Sequence, residues 1–175
     1  MTLQEIILER IRHSATDCFS TMLGAELTAG EAYTGRSPEV NDGVVSLIGL
    51  AGAWVGTGSV SCTPASACKI CELMLMTETP AVTDDVLDAV AEITNIVIGS
   101  VKNDLEAYVG PLGLSIPTVV YGRNFQARSA ASSEWNVVRF HWDGEELVVR
   151  LFLAPADKAP HPTVHLAGQS CSLEG

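Results

Sequence analysis

Apolar positions recur along this chain with two periods, one of a helix and one of a strand. Ile7, Ile11, Ala15, Cys18 and Met22 follow helical spacing and Thr2-Leu3-Gln4-Glu5 has the form of a capping box, so a long amphipathic helix is expected over residues 3–23, with Gly24 as its stop. A weak strand is expected from Glu26 to Tyr33, and Gly35-Arg36-Ser37-Pro38 marks a turn. Gly43–Leu50 and Ala53–Cys62 are rich in Val, Ile, Leu, Trp and Thr and broken by Gly52, Gly56 and Gly58, the pattern of a hairpin. Thr63-Pro64 suits a cap followed by proline at the first helical position, opening a short helix that ends before Pro80. Thr83-Asp84-Asp85 caps a second long helix, from about residue 84 to 107.

GPLGL, residues 110–114, then reads as a loop, and residues 115–122 as a short strand entered through Pro117. Glu134 to Trp142 and Glu146 to Leu153 read as two strands turned by Asp143-Gly144. The second half thus repeats the first as long helix, strand and hairpin, which points to an internal pseudo-twofold. Residues 1–155 form one domain in this reading. Residues 156–175, rich in Pro, Ala and Gly without periodicity, read as a flexible tail whose final Leu-Glu-Gly resembles cloning residue.

Composition narrows the function classes. With 47% apolar and 18% charged residues in 175, the chain has ample material for one folded domain and is not generally disordered. A net charge of -11 repels phosphate backbones and anionic lipid, which disfavours nucleic-acid or membrane-surface binding. The acidic start and the lack of any stretch of about 18 apolar residues make the cytoplasm the default compartment.

Candidate chemistry is sparse. The five cysteines at 18, 62, 68, 71 and 171 form an irregular odd set, and reduced thiols are expected. Cys68 and Cys71 spell C-x-x-C inside the predicted short helix with no second pair to complete a zinc set, so they read as small core residues; a redox role would require a depressed thiol pKa. His161 and His165 would share a helical face, but Pro160 and Pro162 argue against a helix there. The glycines of Gly52–Gly58 lie inside a hairpin rather than between strand and helix, where a phosphate would be cradled. Trp135 and Trp142 read as packing residues, and no G-x-S-x-G, Walker or H-E-x-x-H motif occurs.

The informative element is the second long helix. At about 100° per residue, Val86, Val90, Ile93, Val97 and Val101 form one stripe that must face a core, and Asp88, Glu92, Asn95, Gly99, Lys102 and Glu106 fall opposite. A simple solvated face is the plain reading of that polar stripe. Two residues fit it poorly: asparagine competes for backbone groups in a helix interior, and Gly99 costs about 1 kcal/mol relative to alanine. A glycine one turn beyond Asn95 would let another surface approach closely.

Asp88-x-x-x-Glu92-x-x-Asn95, followed 22 positions on by Pro117 at a strand start, resembles the signature of the CheC/CheX/FliY family of chemotaxis phosphatases. The resemblance implies an α+β, two-layer CheC/CheX-like fold with long helices packed on a largely antiparallel sheet. It implies hydrolysis of the aspartyl phosphate of a CheY-like response regulator, Asn95 positioning the attacking water and Glu92 docking on the receiver's lysine. Asp88 and Gly99 would belong to the partner-binding surface and Pro117 to the structural motif. No cofactor of its own is implied, since the receiver supplies Mg2+. The matching register of the first helix, Ser14-x-x-x-Cys18-x-x-Thr21, keeps neither acid nor amide. One site per chain is therefore expected, as in CheX, together with that branch's homodimer, seamed along exposed edge strands. The alternative is a non-catalytic receiver-binding or signalling adaptor that uses the same helix.

Overall fold

The first helix, α1 (Leu3–Cys18), opens through the expected capping box: Thr2 Oγ1 accepts from the Glu5 amide at 3.2 Å, and Glu5 Oε2 accepts from the Thr2 amide at 2.6 Å. These bonds from Thr2 hold the Glu5 carboxyl below its ordinary range. The helical path continues as expected to Leu23, but its last turn, Phe19–Leu23, widens into π geometry before Gly24 ends it in the left-handed conformation, φ 60°. The computed structural model describes residues 1–36, 40–126, 134–158, 164–166 and 169–171. Ser37 and Pro38 of the expected turn, His161, and the terminal Leu-Glu-Gly lie outside the described residues.

Three strands follow, β1 (Thr28–Gly35), β2 (Val40–Gly52) and β3 (Trp54–Cys62), then helices α2 (Pro64–Leu75) and α3 (Asp84–Val109). Beyond them come β4 (Leu112–Leu114), β5 (Thr118–Gln126), β6 (Trp135–Trp142) and β7 (Glu145–Pro155), and two short strands, β8 (Val164–Leu166) and β9 (Gln169–Cys171), that pair with each other. Thr63 caps α2 as expected, its Oγ1 accepting from the Ser66 amide at 3.1 Å. Thr83 differs from expectation: its carbonyl takes the first bonds of α3, but its hydroxyl caps nothing, and Asp84 and Asp85 supply the negative charge that a helix start favours.

Every strand pair of the main sheet is antiparallel, in the order β1-β6-β7-β3-β2, with β4 and β5 sharing the outer side of β2. With β5 as the last strand the order is a palindrome. Each half builds a hairpin, β2–β3 or β6–β7, and lends its other strand to the hairpin of the opposite half. The pseudo-twofold therefore runs between β3 and β7, through a strand exchange.

The stretch expected to be a loop at 110–114 is corrected by the structure. At 13 residues β2 outruns β5, which pairs with its Val40–Leu47 part, and the backbone groups of Leu50–Gly52 are taken up by β4. Ser115 closes the gap, its amide donating to the Gly49 carbonyl at 2.9 Å and its Oγ accepting from the Gly49 amide at 2.7 Å.

The helices cover one face of the sheet, α1 over β6 and β1, α3 over β2, β3 and β5, and α2 against both α3 and the π turn. Val86, Val90, Ile93, Val97 and Val101 are all buried in the core between these layers, as their spacing requires. A Cβ at Gly58 would come within 2.8–2.9 Å of three side-chain carbons of the fully buried Ile98, so glycine is what lets α3 sit this close to β3. Trp142 is core: its ring meets Phe19 edge-on at 5.1 Å and its Nε1 donates to Ser66 Oγ at 2.9 Å. Trp135 packs against Phe152 at 6.0 Å. No helix among the described residues is long and apolar enough to cross a membrane.

Candidate functional site

Asp88, Glu92 and Asn95 lie on the exposed face of α3, with the buried residues Ala89, Val90, Ile93 and Thr94 at their backs. The turn that carries Glu92 and Asn95 is thus held by the core. Thr94, between them, is fully buried and spends its hydroxyl on the Val90 carbonyl at 2.8 Å. Side chains three apart on a helix are neighbours, so a carboxylate and a carboxamide stand side by side on a rigid mount.

The stripe divides into an occupied and an open half. Toward its C-terminal end Lys102 Nζ meets Glu106 Oε1 at 2.8 Å, and the same oxygen accepts from the Leu112 amide at 2.9 Å. Hydrogen bonds from Leu112 and then Lys102 hold the Glu106 carboxyl below its ordinary range. Toward the N-terminal end, no hydrogen bond or ion pair among the described residues engages the side chains of Asp88, Glu92 or Asn95. All three side chains are exposed to solvent.

On one side this face is bordered by α1, antiparallel to α3. Ser14 Oγ donates to Ser100 Oγ at 3.1 Å and Arg10 meets Asp104 at 3.8 Å; that register brings Cys18 and Met22 alongside the turn of Glu92. Consistently, the Cys18 thiol is pushed up to about 11, by burial first, then by the charges of Asp17 and Glu92. The α1 positions that match the signature present no second pair. Ser14 and Cys18 are buried, and Thr21 Oγ1 donates to the Asp17 carbonyl at 2.8 Å.

On the other side runs β4. Its Leu112 amide is fixed on Glu106, and Leu114 Cδ1 lies 3.6 Å from where a Cβ of Gly99 would stand, so the chain travels back along α3 toward its N-terminus. Two further extended residues, about 6–7 Å, match one helical turn of about 5.4 Å. Ile116, two residues beyond Leu114 and just ahead of Pro117 and β5, therefore arrives near the level of Asn95. At Gly99 an alanine Cβ would make only ordinary contact, so packing within the chain does not demand glycine there. Residues 110–116 carry no motif in the sequence; it is the contacts of Leu112 with Glu106 and of Leu114 with Gly99 that show this segment bordering the stripe.

The other candidates fall away. Cys71 is fully buried, and the thiols of Cys62, pushed up to about 12, and Cys68 are raised, both chiefly by burial, the opposite of the depressed pKa that redox chemistry at Cys68 would require. Among the described residues no three His, Cys, Asp or Glu side chains gather where they could hold a metal ion, and His165 sits in a strand. A crevice of about 340 Å³ lined by Leu3, Ile7, Trp54, Asn136 and Leu153 shares no residue with the stripe. Its buried amide is used in packing, Asn136 Oδ1 accepting from Thr34 Oγ1 at 3.1 Å and Nδ2 donating to the Leu151 carbonyl at 3.2 Å.

Comparison with known proteins gives this geometry a family. Three solved structures share the fold at low identity. CheX from Vibrio vulnificus is 23% identical, with a TM-score of 0.76 over 85% of this chain and 99% of that one. A CheC-like superfamily protein from Shewanella sp. PV-4 is 22% identical, with a TM-score of 0.78 over 88% and 99%. A chain of the CheX-CheY-BeF3-Mg2+ complex from Borrelia burgdorferi is 22% identical, with a TM-score of 0.70 over 84% and 97%. A comparison with curated protein sequences returned no match. The family model described as chemotaxis phosphatase CheX matches residues 44–141, which include α3 whole and Pro117. Since that match spans more than half of the chain, the protein belongs to the CheX family of chemotaxis phosphatases.

Proposed function

We propose that this protein hydrolyses the aspartyl phosphate of a CheY-like response regulator, with Asn95 and Glu92 as its catalytic pair. The observation that carries the reading is the open half of the α3 stripe: an exposed carboxylate and an exposed carboxamide, adjacent on a core-backed helix and engaged by nothing else among the described residues.

The chemistry asks little of the enzyme beyond positioning. Hydrolysis of an acyl phosphate needs a water in line with phosphorus, and a carboxamide can donate to and accept from that water without adding a charge that repels the phosphoryl oxygens. Asn95 fills that role. Glu92 forms a charge-assisted pair with the receiver's lysine, which docks α3 and fixes the register of the amide. Asp88 borders the same surface and Gly99 keeps it low. Mg2+ belongs to the receiver and neutralises phosphoryl charge there. The similar Borrelia burgdorferi chain comes from a complex of CheX with CheY, BeF3 and Mg2+, which supports this division of labour. The reading also carries a homodimer seamed along an outer strand, β1 or β5, and a cytoplasmic setting, both drawn from the family resemblance.

The test is the decay of a phosphorylated CheY-like receiver with and without the protein. Wild type should accelerate it. Asn95→Ala should abolish the acceleration while the receiver still binds, and Glu92→Ala should weaken binding as well. Full activity in Asn95→Ala refutes the assignment, and binding with no acceleration by wild type leaves a receiver-binding adaptor instead.

A further inference from the structure

Ile116 is an isoleucine with 89% of its surface exposed, held on a rigid mount beside the catalytic pair. Three features fix it. Ser115 is clamped to Gly49 from both sides, by its own amide and through its Oγ, and that hydroxyl also donates to the Ile116 carbonyl at 3.2 Å. Pro117 follows with a fixed φ, and β5 begins at Thr118. The course of β4 back along α3 brings this segment level with Asn95. A β-branched side chain has few rotamers to lose, so an isoleucine so mounted meets a partner at low entropic cost.

We infer that Ile116 is an apolar anchor for the phosphorylated receiver, inserting into that partner's surface while α3 delivers Asn95. This inference rests on the phosphatase reading above. The position of the anchor identifies its occupant. Any protein seated permanently on Ile116, a second copy of this chain included, would also cover Asn95 and close the site to its substrate. The occupant must therefore come and go with the phosphoryl group, as only the substrate does. An apolar contact also suits this face, because the neighbouring Asp88 and Glu92 make it acidic and leave steering to charge and grip to burial.

The experiment compares wild type, Ile116→Ser and Asn95→Ala against CheY-like receivers of the same genome, in dephosphorylation and in binding of the receiver loaded with beryllofluoride and Mg2+. Ile116→Ser should raise the apparent KM and the Kd by about 10- to 150-fold, the range expected for losing one buried aliphatic side chain, with kcat held within about twofold. Its urea midpoint should match wild type, since the side chain touches little in the free protein. An unchanged KM, or a fall in kcat at constant KM, overturns the inference. A changed oligomeric state on sedimentation also overturns it, because the occupant is then a second copy. If wild type is active and Asn95→Ala dead, such a failure removes only the anchor; if wild type neither binds nor acts on any receiver, the phosphatase reading falls and the anchor with it.

Discussion

Replacing Gly99 by alanine sets the folding of α3 against its use. Gly99 lies inside a helix of 26 residues, and a Cβ there would meet only Leu114 Cδ1 at 3.6 Å, an ordinary contact. Alanine is favoured over glycine in a helix interior by about 0.8–1.0 kcal/mol, and measured Gly→Ala gains at compatible sites run to about 0.4–1 kcal/mol. The variant should therefore be more stable than wild type by about that much. For a chain of this size that is a rise in Tm of about 2–4 °C. If the receiver docks on this face as proposed, the added methyl would project toward it one turn from Asn95, and a misplacement of about 1 Å at the reacting groups can cost about 100-fold in rate. We expect kcat/KM toward the phosphorylated receiver to fall at least about tenfold while the fold is strengthened. Urea denaturation and phosphate release from a charged receiver measure the two arms. A destabilised variant would refute the packing argument, and a stabilised variant with unchanged turnover would refute the placement of Gly99 at the docking surface.

Other perturbations test the frame behind the site. Gly58→Ala forces a methyl into the side chain of Ile98, which is fully buried and has nowhere to go; a loss of about 1–3 kcal/mol is expected in the urea midpoint, and wild-type stability would show that α3 can shift away from β3. The thiols of Cys18 and Cys62 are raised from 9.0 to about 11 and about 12, chiefly by burial. Above pH 9 the unfolded chain therefore releases these protons while the native chain keeps them. The stability they contribute is present below that pH and is lost as pH rises toward the native values. The urea midpoint should fall from about pH 9 upward, and Cys62→Ala should flatten that fall; an unchanged slope would count against burial of this thiol.

Helices and hairpins were legible here because their signals are local. The capping box at Thr2, the cap at Thr63, the apolar stripe from Val86 to Val101 and the turn at Asp143-Gly144 each depend on residues within a few positions of one another, and each sits where the pattern puts it. The π turn at Phe19–Leu23 was not legible, since its spacing still reads as helix. Nor was β4, whose Leu-Gly-Leu between Gly-Pro and Ser-Ile-Pro has the composition of a turn. It becomes a strand only because a distant strand has unpaired backbone to offer.

The sequence by itself determined which residues of α3 face the core and which face out, and with them the pairing of Glu92 with Asn95, because helical periodicity is a property of one segment. It also settled that α1 lacks the equivalent acid and amide. Tertiary structure alone decided that β1 pairs with β6 and β5 with β2, an exchange between halves that joins residues as distant as Thr34 and Asn136. Strand alternation tells each strand which face is apolar but not which neighbour will take its hydrogen bonds. That exchange carries β4 and the segment leading to Pro117 to the flank of α3, and so it decides which residues border the exposed face that carries Asn95.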